Sequence, residues 1–443
     1  MPAPVDSQAR WASAHRLRED GRIEAACSTI VALWENQRTD PATALAALDF
    51  LKECGAHERA LPIARDAFQR WPDDARTAAA QGEVALALGL FDEAAAALRE
   101  AIDLDPMQSA SWLRLAYCRR FTDGADADVQ RFRNGWTNAN LDAITHLCIG
   151  FALGKVLDDL GDATQAAQTL REANTLARHT STWQSRDWQR LVERQLHCAP
   201  LPALAADEAF VPIFIVGMPR SGTTLTASAL ARHAEVRERG ELNWIPALHA
   251  LLEQQGQLRN PAAIAQAAGL IRRQMRRDDA PARFYIDKNP LNFRHLDFIA
   301  ACFPNAKIVY CRRGARDTAL SIWMQHFAHE DLGFAYDFAS IADVQRDCAK
   351  LMAHWRARLP LSIIDVEYED FVADPAGQRR RLVDFLGLPA IDAGESADGK
   401  PQVVTTASVW QVRQPVYTRA VERWRRYAPY LPELTALFAD SAR

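Results

Sequence analysis

The stretch Phe214-Ile-Val-Gly-Met-Pro-Arg-Ser-Gly-Thr-Thr-Leu225 limits the possible folds more than any other segment of the chain. It reads as a short apolar strand, a turn made of Gly217, Pro219, Arg220, Ser221 and Gly222, and a helix that opens at Thr223. Such a turn points backbone N–H groups at the helix N-terminus, where the helix dipole also favours an anion. The segment is therefore a candidate phosphate cradle. Gly217 and Gly222 keep the spacing of a Walker A loop, but Thr223 stands where that loop carries its lysine. A β,γ-phosphate pair would miss that lysine. A single 5′-phosphate bearing a transferable group could be held by Arg220 instead.

From about residue 205 onward, apolar runs such as Phe214–Val216, Lys307–Cys311 and Ser362–Val366 alternate with helical stretches. That alternation predicts βαβ units around a parallel sheet. Trp183 to Leu196 reads as a helix, and Pro200, Pro202 and Pro212 break the segment after it. Before residue 180 the pattern is different. In 34-residue steps, Gly21, Gly55 and Gly89 share a phase that closes a helix. Ala26, Ala60 and Ala94 share the phase five residues later, Ala67 and Ala101 a further one, and Pro72 and Pro106 end units. Gly82 supplies the small residue early in the third unit's first helix. A fourth unit starts at Trp112 and Leu115 and then loses register, and a fifth recovers it with Gly154, Gly161, Ala166 and Ala173. The spacing resembles the tetratricopeptide repeat and implies a helical solenoid of about five units. The expected division is a solenoid over 1–180, a linker with a last helix over 181–205, and an α/β domain over 206–443.

A net charge of −4 argues against a dedicated nucleic-acid binder. The eight cysteines form no CxxC pair and no cluster with histidines, so neither zinc nor a disulfide framework is suggested. No apolar run reaches the ~20 residues of a membrane span, and the N-terminal residues lack a signal peptide's apolar core. The expectation is a soluble cytoplasmic protein.

Three further segments carry chemistry. Lys307-Ile-Val-Tyr-Cys-Arg-Arg-Gly-Ala-Arg-Asp-Thr-Ala-Leu-Ser321 is a strand that ends in arginines and enters a helix. A nucleoside triphosphatase would place there the Asp that organises Mg²⁺. A cationic end suits a second phosphate on Arg313, with the Ser321 hydroxyl further along the helix. In Tyr285-Ile-Asp-Lys-Asn-Pro290, Lys288 follows a strand-like run and could neutralise a leaving phosphate. Glu241, downstream of the helix that opens at Thr223, is placed as a general base for an acceptor hydroxyl, with His249 as the alternative.

The cradle, the arginine-rich strand end and Asp-Lys-Asn-Pro together resemble the sulfotransferases that use 3′-phosphoadenosine 5′-phosphosulfate (PAPS). The resemblance covers about residues 210–430 and is nearest to bacterial tetratricopeptide-repeat sulfotransferases and tyrosylprotein sulfotransferases. It implies a P-loop-like parallel sheet with flanking helices, PAPS as donor, adenosine 3′,5′-bisphosphate as product, and no metal. Arg220, Ser221, Gly222, Thr223 and Thr224 would hold the 5′-phosphosulfate, and Arg313 and Ser321 the 3′-phosphate. Glu241 matches the catalytic carboxylate and Lys288 the lysine near the bridging oxygen. Tyr368 matches a nucleotide-side tyrosine, Ser408 a serine near the transferring group, and Arg423 a basic residue closing over the 3′-phosphate. The family's Arg-Asp-Pro-Arg reads Arg313-Gly-Ala-Arg316 here.

The resemblance leaves the acceptor open among peptide tyrosine, glycan, lipid and small phenol. Arg272, Arg273, Arg276 and Arg277 form a basic stripe on a helix, either a solvated face or a lure for an acidic peptide or anionic glycan. The helical repeats suit a protein partner or self-association. Trp323, Trp410 and Trp424 are core residues or stacking platforms. The competing readings are a P-loop kinase or NTPase, and a non-catalytic repeat scaffold with a degenerate transferase fold.

Overall fold

A computed structural model describes residues 4–327, 329–389 and 421–438. Up to residue 197 the elements are all helical. Helices α1 (Pro4–Glu19) and α2 (Ile23–Asn36), α3 (Pro41–Glu53) and α4 (His57–Arg70), and α5 (Ala75–Leu88) and α6 (Phe91–Leu104) pack as successive pairs. A shortened pair comes next, α7 (Ser109–Ala116) and α8 (Ala127–Trp136). Then come α9 (Ala143–Asp159), α10 (Ala163–Thr180) and α11 (Ser185–His197).

The repeat phases have direct physical causes. Gly21, Gly55, Gly89 and Gly161 all take positive φ, between 76° and 86°, just past a helix end. Side chains with a Cβ resist that conformation. A Cβ on Gly82 would lie 2.5 Å from Leu98, and one on Gly154 would lie 2.5 Å from Leu170. The same close approach of paired helices thus recurs after the register break.

The second half begins with β1 (Val211–Gly217), α12 (Thr223–Leu230), β2 (Val236–Glu238), α13 (Trp244–Gln254) and α14 (Pro261–Arg276). It continues with β3 (Phe284–Asp287), α15 (Leu296–Cys302), β4 (Lys307–Arg312), α16 (Ala315–Trp323) and α17 (Phe338–Arg358). Last come β5 (Ser362–Glu367), α18 (Tyr368–Ala373), α19 (Pro375–Leu386), α20 (Trp424–Tyr427) and α21 (Glu433–Ala436). The five strands form one parallel sheet in the order β2-β3-β1-β4-β5.

Strand β1 is central and buried on both faces, which explains its unbroken apolar run. Pro212, expected to break structure, instead lies inside β1 opposite Tyr285. Pairing of β1 with β4 starts only at Ile213, so the proline sits where one neighbour is absent. Strand β2 has three residues and only Val236 buried, too little pattern to read from sequence.

The two halves share a core. One continuous apolar cluster contains Leu98, Phe132 and Leu170 from the repeats and Phe214, Phe298 and Trp355 from the sheet half. The basic stripe on α14 serves that junction. Arg277 donates to the Cys54 carbonyl at 3.1 Å, and Gln274 beside it donates to the Arg18 carbonyl at 2.7 Å. Asp278 accepts from the Glu24 and Ala25 amides at 2.6 and 3.1 Å, capping α2. Arg272 pairs with Asp207 at 3.0 Å, so Arg272 and Arg277 hold the fold together while Arg273 and Arg276 are exposed. Trp323 is buried and stacked on Phe338, the Arg316 and Arg425 guanidiniums lie 4.4 and 5.0 Å from the Trp424 ring centre, and Trp410 lies outside the described residues. Among the described residues no helix is long and apolar enough to cross a membrane.

Candidate active site

In a parallel sheet all strands end on one edge, and ligands of open α/β sheets bind outside that edge. The cradle comes after β1, Glu241 after β2, Lys288 after β3, Arg313 after β4 and Tyr368 after β5. Sheet topology thus brings together five segments that lie up to 150 residues apart in sequence (about 218 to 368).

The cradle takes its shape from three unusual backbone positions. Gly217 has φ 141°, and a Cβ there would lie 2.3 Å from the Cys311 carbonyl oxygen of β4. Gly222 caps α12 with φ 98°, and a Cβ there would meet the Tyr368 ring at 2.8 Å. Arg220 has φ 68°, a conformation non-glycine residues rarely adopt, and such strain concentrates at functional sites. Thr223 and Thr224 form the first turn of α12, below the loop.

Two hydrogen bonds join the cradle to the second cationic segment. Arg220 Nε donates to Ser321 Oγ at 3.1 Å, and Arg313 donates to the Arg220 carbonyl at 3.1 Å. The Arg313 guanidinium lies 4.7 Å from the centre of the Tyr368 ring, a cation–π distance. Ser221 Oγ is buried without a hydrogen-bond partner among the described residues. A buried hydroxyl left unmet is costly unless a ligand completes it. A phosphate oxygen at the cradle would do so, and the residues present therefore fit an anionic ligand. The Arg313-Gly-Ala-Arg316 turn is held by the Glu369 carboxylate, which accepts from the Gly314 amide at 2.9 Å.

Lys288 is buried and donates to Glu241 Oε1 at 2.5 Å, whereas the Glu241 side chain is 46% exposed. A buried ammonium therefore faces a carboxylate that solvent or a substrate can reach. His249, the alternative base, is packed against His295 and Phe298 inside the fold, and burial lowers its pKa. Arg423 is ion-paired with Asp158 of α9 and donates to Met324 Sδ at 3.3 Å. Ser408 lies outside the described residues.

Asp287 of the Asp-Lys-Asn-Pro segment carries no sequence signal of its own, yet it organises the Glu241–Lys288 pair. Its Oδ1 accepts from the amides of Leu242 at 3.2 Å and Asn289 at 3.0 Å, and its Oδ2 accepts from Asn292 Nδ2 at 3.0 Å. The Lys288 amide in turn donates to the Gly240 carbonyl at 2.8 Å. The residues flanking Glu241 and Lys288 are thus stitched together through one carboxyl group. Burial pushes Asp287 up to about 7, against the opposing pull of its three donors.

A carboxyl group whose pKa is raised by folding loses stabilising power as pH rises from the ordinary carboxylate value toward the folded value. Asp287→Asn removes that dependence. The asparagine carbonyl can accept both amides, and rotation of Asn292 would turn its unpaired Oδ1 toward the new Nδ2. Melting temperatures of wild type and variant should therefore diverge in the variant's favour between pH 4 and pH 7. Parallel melting curves across that window would remove Asp287 as a group titrating on folding.

A model described as the sulfotransferase family matches residues 212–392, and a tetratricopeptide-repeat model matches residues 75–106. An uncharacterized protein of Aquifex aeolicus is 27% identical over 427 residues, covering 92% of this chain and 56% of its own length. Protein-tyrosine sulfotransferase 1 of Danio rerio is 27% identical over 242 residues, covering 48% of this chain and 65% of its own length. The chain thus spans a little over half to about two-thirds of those two relatives. A sulfotransferase of Mycobacterium avium aligns over 75% of this chain and 95% of its own, at 13% identity and a TM-score of 0.32. This chain is thus similar to the sulfotransferase family over residues 212–392 and to the tetratricopeptide repeat over residues 75–106.

Proposed function

We propose that this protein transfers a sulfuryl group from PAPS to a hydroxyl of an acceptor. The observation that carries the reading is the bonded chain Arg313–Arg220–Ser321, which joins two cationic phosphate loops into one site. A ligand with phosphates at both the 5′ and 3′ positions suits that site, and a triphosphate would lack the Walker lysine. Arg220, Ser221, Gly222, Thr223 and Thr224 bind the 5′-phosphosulfate. Arg313 and Ser321 take the 3′-phosphate, beside the Tyr368 ring.

In the transfer, the acceptor oxygen forms a bond to sulfur while the bond from sulfur to the bridging phosphate oxygen breaks. Glu241 takes the acceptor's proton, and the departing phosphate oxygen gains negative charge. Lys288 holds its charge on Glu241 before reaction and passes it to that oxygen as the charge develops. Its burial makes the interaction stronger than it would be in water. Arg423 and Ser408 are assigned by family likeness to the 3′-phosphate and the transferring group. No step in this scheme requires a metal, because Arg, Lys and helix N–H groups carry the charge. We assign the helical region before residue 180 to partner or acceptor recruitment and residues 206–443 to donor binding.

Calorimetry in chelator-treated buffer tests the donor. Binding of adenosine 3′,5′-bisphosphate without Mg²⁺ is the expected result. Mg²⁺-dependent ATP binding with none of the bisphosphate would favour a P-loop kinase or NTPase instead. The acceptor requires a screen with labelled donor. Peptide tyrosine comes first, because several relatives are named for it, and glycans and small phenols come next.

A further inference from the structure

The fourth repeat is the one that loses register, and its end touches the residues that close α16. Helix α7 has only 8 residues, and Tyr117 closes it as the cap. The Tyr117 hydroxyl donates to Gln325 Oε1 at 3.0 Å, a contact that joins the repeat half to the sulfotransferase-family half. Gln325 is buried, one helical turn beyond Ser321 at the end of α16. Its Nε2 donates to the Met324 carbonyl and its backbone amide to the Ile322 carbonyl, so Oε1 is left facing the tyrosine. Ser321 is the residue that accepts from Arg220.

The charges around this contact point the same way. The Arg220 and Arg423 guanidiniums both act on Tyr117, opposing the burial that raises its pKa. Met324, the neighbour of Gln325, accepts from Arg423, which Asp158 of α9 holds by an ion pair. Asp158 also accepts from the Tyr427 hydroxyl at 2.6 Å and pairs with Arg426. Two repeat helices therefore brace the end of α16 and the returning C-terminal segment, on the side where Arg220 meets Ser321.

We propose that Tyr117 is a positioning residue for the 3′-phosphate. Through Gln325 it fixes the last turn of α16, and so the Ser321 hydroxyl, against Arg220. The repeat half then contributes to donor selectivity rather than to recruitment alone. This inference rests on the assignment of PAPS as donor.

Tyr117→Phe keeps the ring that fills the space and removes only the hydroxyl. Its expected effect is a loss of about three- to tenfold in affinity for adenosine 3′,5′-bisphosphate, the range of one hydrogen bond. Affinity for adenosine 5′-monophosphate, which has no 3′-phosphate, should stay unchanged, whereas the melting temperature should fall modestly, because Gln325 Oε1 is left buried without its donor. Gln325→Ala should give the same selective loss, and the double variant should lose no more than either single one. Equal losses for both ligands, or an unchanged bisphosphate affinity in Tyr117→Phe, would overturn the role of Tyr117 and leave the donor assignment standing. Failure of the wild type to bind the bisphosphate would overturn both.

Discussion

Glu241→Gln should lower turnover by about 10²–10⁴-fold, the range associated with loss of a general base, and leave bisphosphate affinity close to that of the wild type. The reason is where the side chain sits. Glu241 comes after β2, at the sheet edge farthest from β4 and Arg313, and its 46% exposure leaves it open to an incoming acceptor. Its partner Lys288 is buried, and no strand intervenes between the lysine's strand β3 and the cradle's strand β1. Glutamine keeps the shape and can still accept from Lys288 Nζ, so the loop pinned by Asp287 keeps its conformation. The ability to take a proton is lost. Steady-state kinetics should show the fall in kcat, with little change in the KM for donor. Turnover within a factor of a few of wild type would place the proton acceptor elsewhere. His249 is a poor replacement, because it is closed in by His295 and Phe298.

The cradle and its charged partners are legible in the sequence because glycine spacing and charge at strand ends are local signals. Gly217, Gly222 and Arg220 share one turn, and Arg313 lies directly after its strand. The repeat glycines are equally visible, since a left-handed helix end admits few residues other than glycine. Contacts between distant segments leave no such mark. Asp287 lies beside Lys288 in a recognisable segment, but its role depends on Leu242, 45 residues away in the chain. Tyr117 meets Gln325 across 208 residues. The place where the periodicity fails is where the solenoid meets the end of α16. A short α7 that stops at Ala116 serves that contact better than a full-length repeat helix. The basic stripe on α14 is misleading for a related reason. Helical periodicity shows a cationic face, but only the fold shows that its C-terminal end is tied to the first repeats.

Arg313→Ala should weaken adenosine 3′,5′-bisphosphate binding by about 10²–10³-fold, within the cost of truncating one member of a desolvated charge pair. Three separate functions end with that guanidinium. It supplies the charge that would meet the 3′-phosphate. It also donates to the Arg220 carbonyl, which steadies a residue held at φ 68°, and it lies over the Tyr368 ring that closes on Gly222. Arg313→Lys separates these contributions, because an ammonium keeps the charge but not the planar fork. The lysine variant should recover part of the affinity and lose salt sensitivity less than alanine does. If the second phosphate were bound elsewhere, alanine would cost affinity for adenosine 5′-monophosphate and for the bisphosphate equally, through loosening of the cradle alone. A loss concentrated on the bisphosphate instead ties the 3′-phosphate to the strand end of β4, and calorimetry on the two ligands with each variant distinguishes these outcomes.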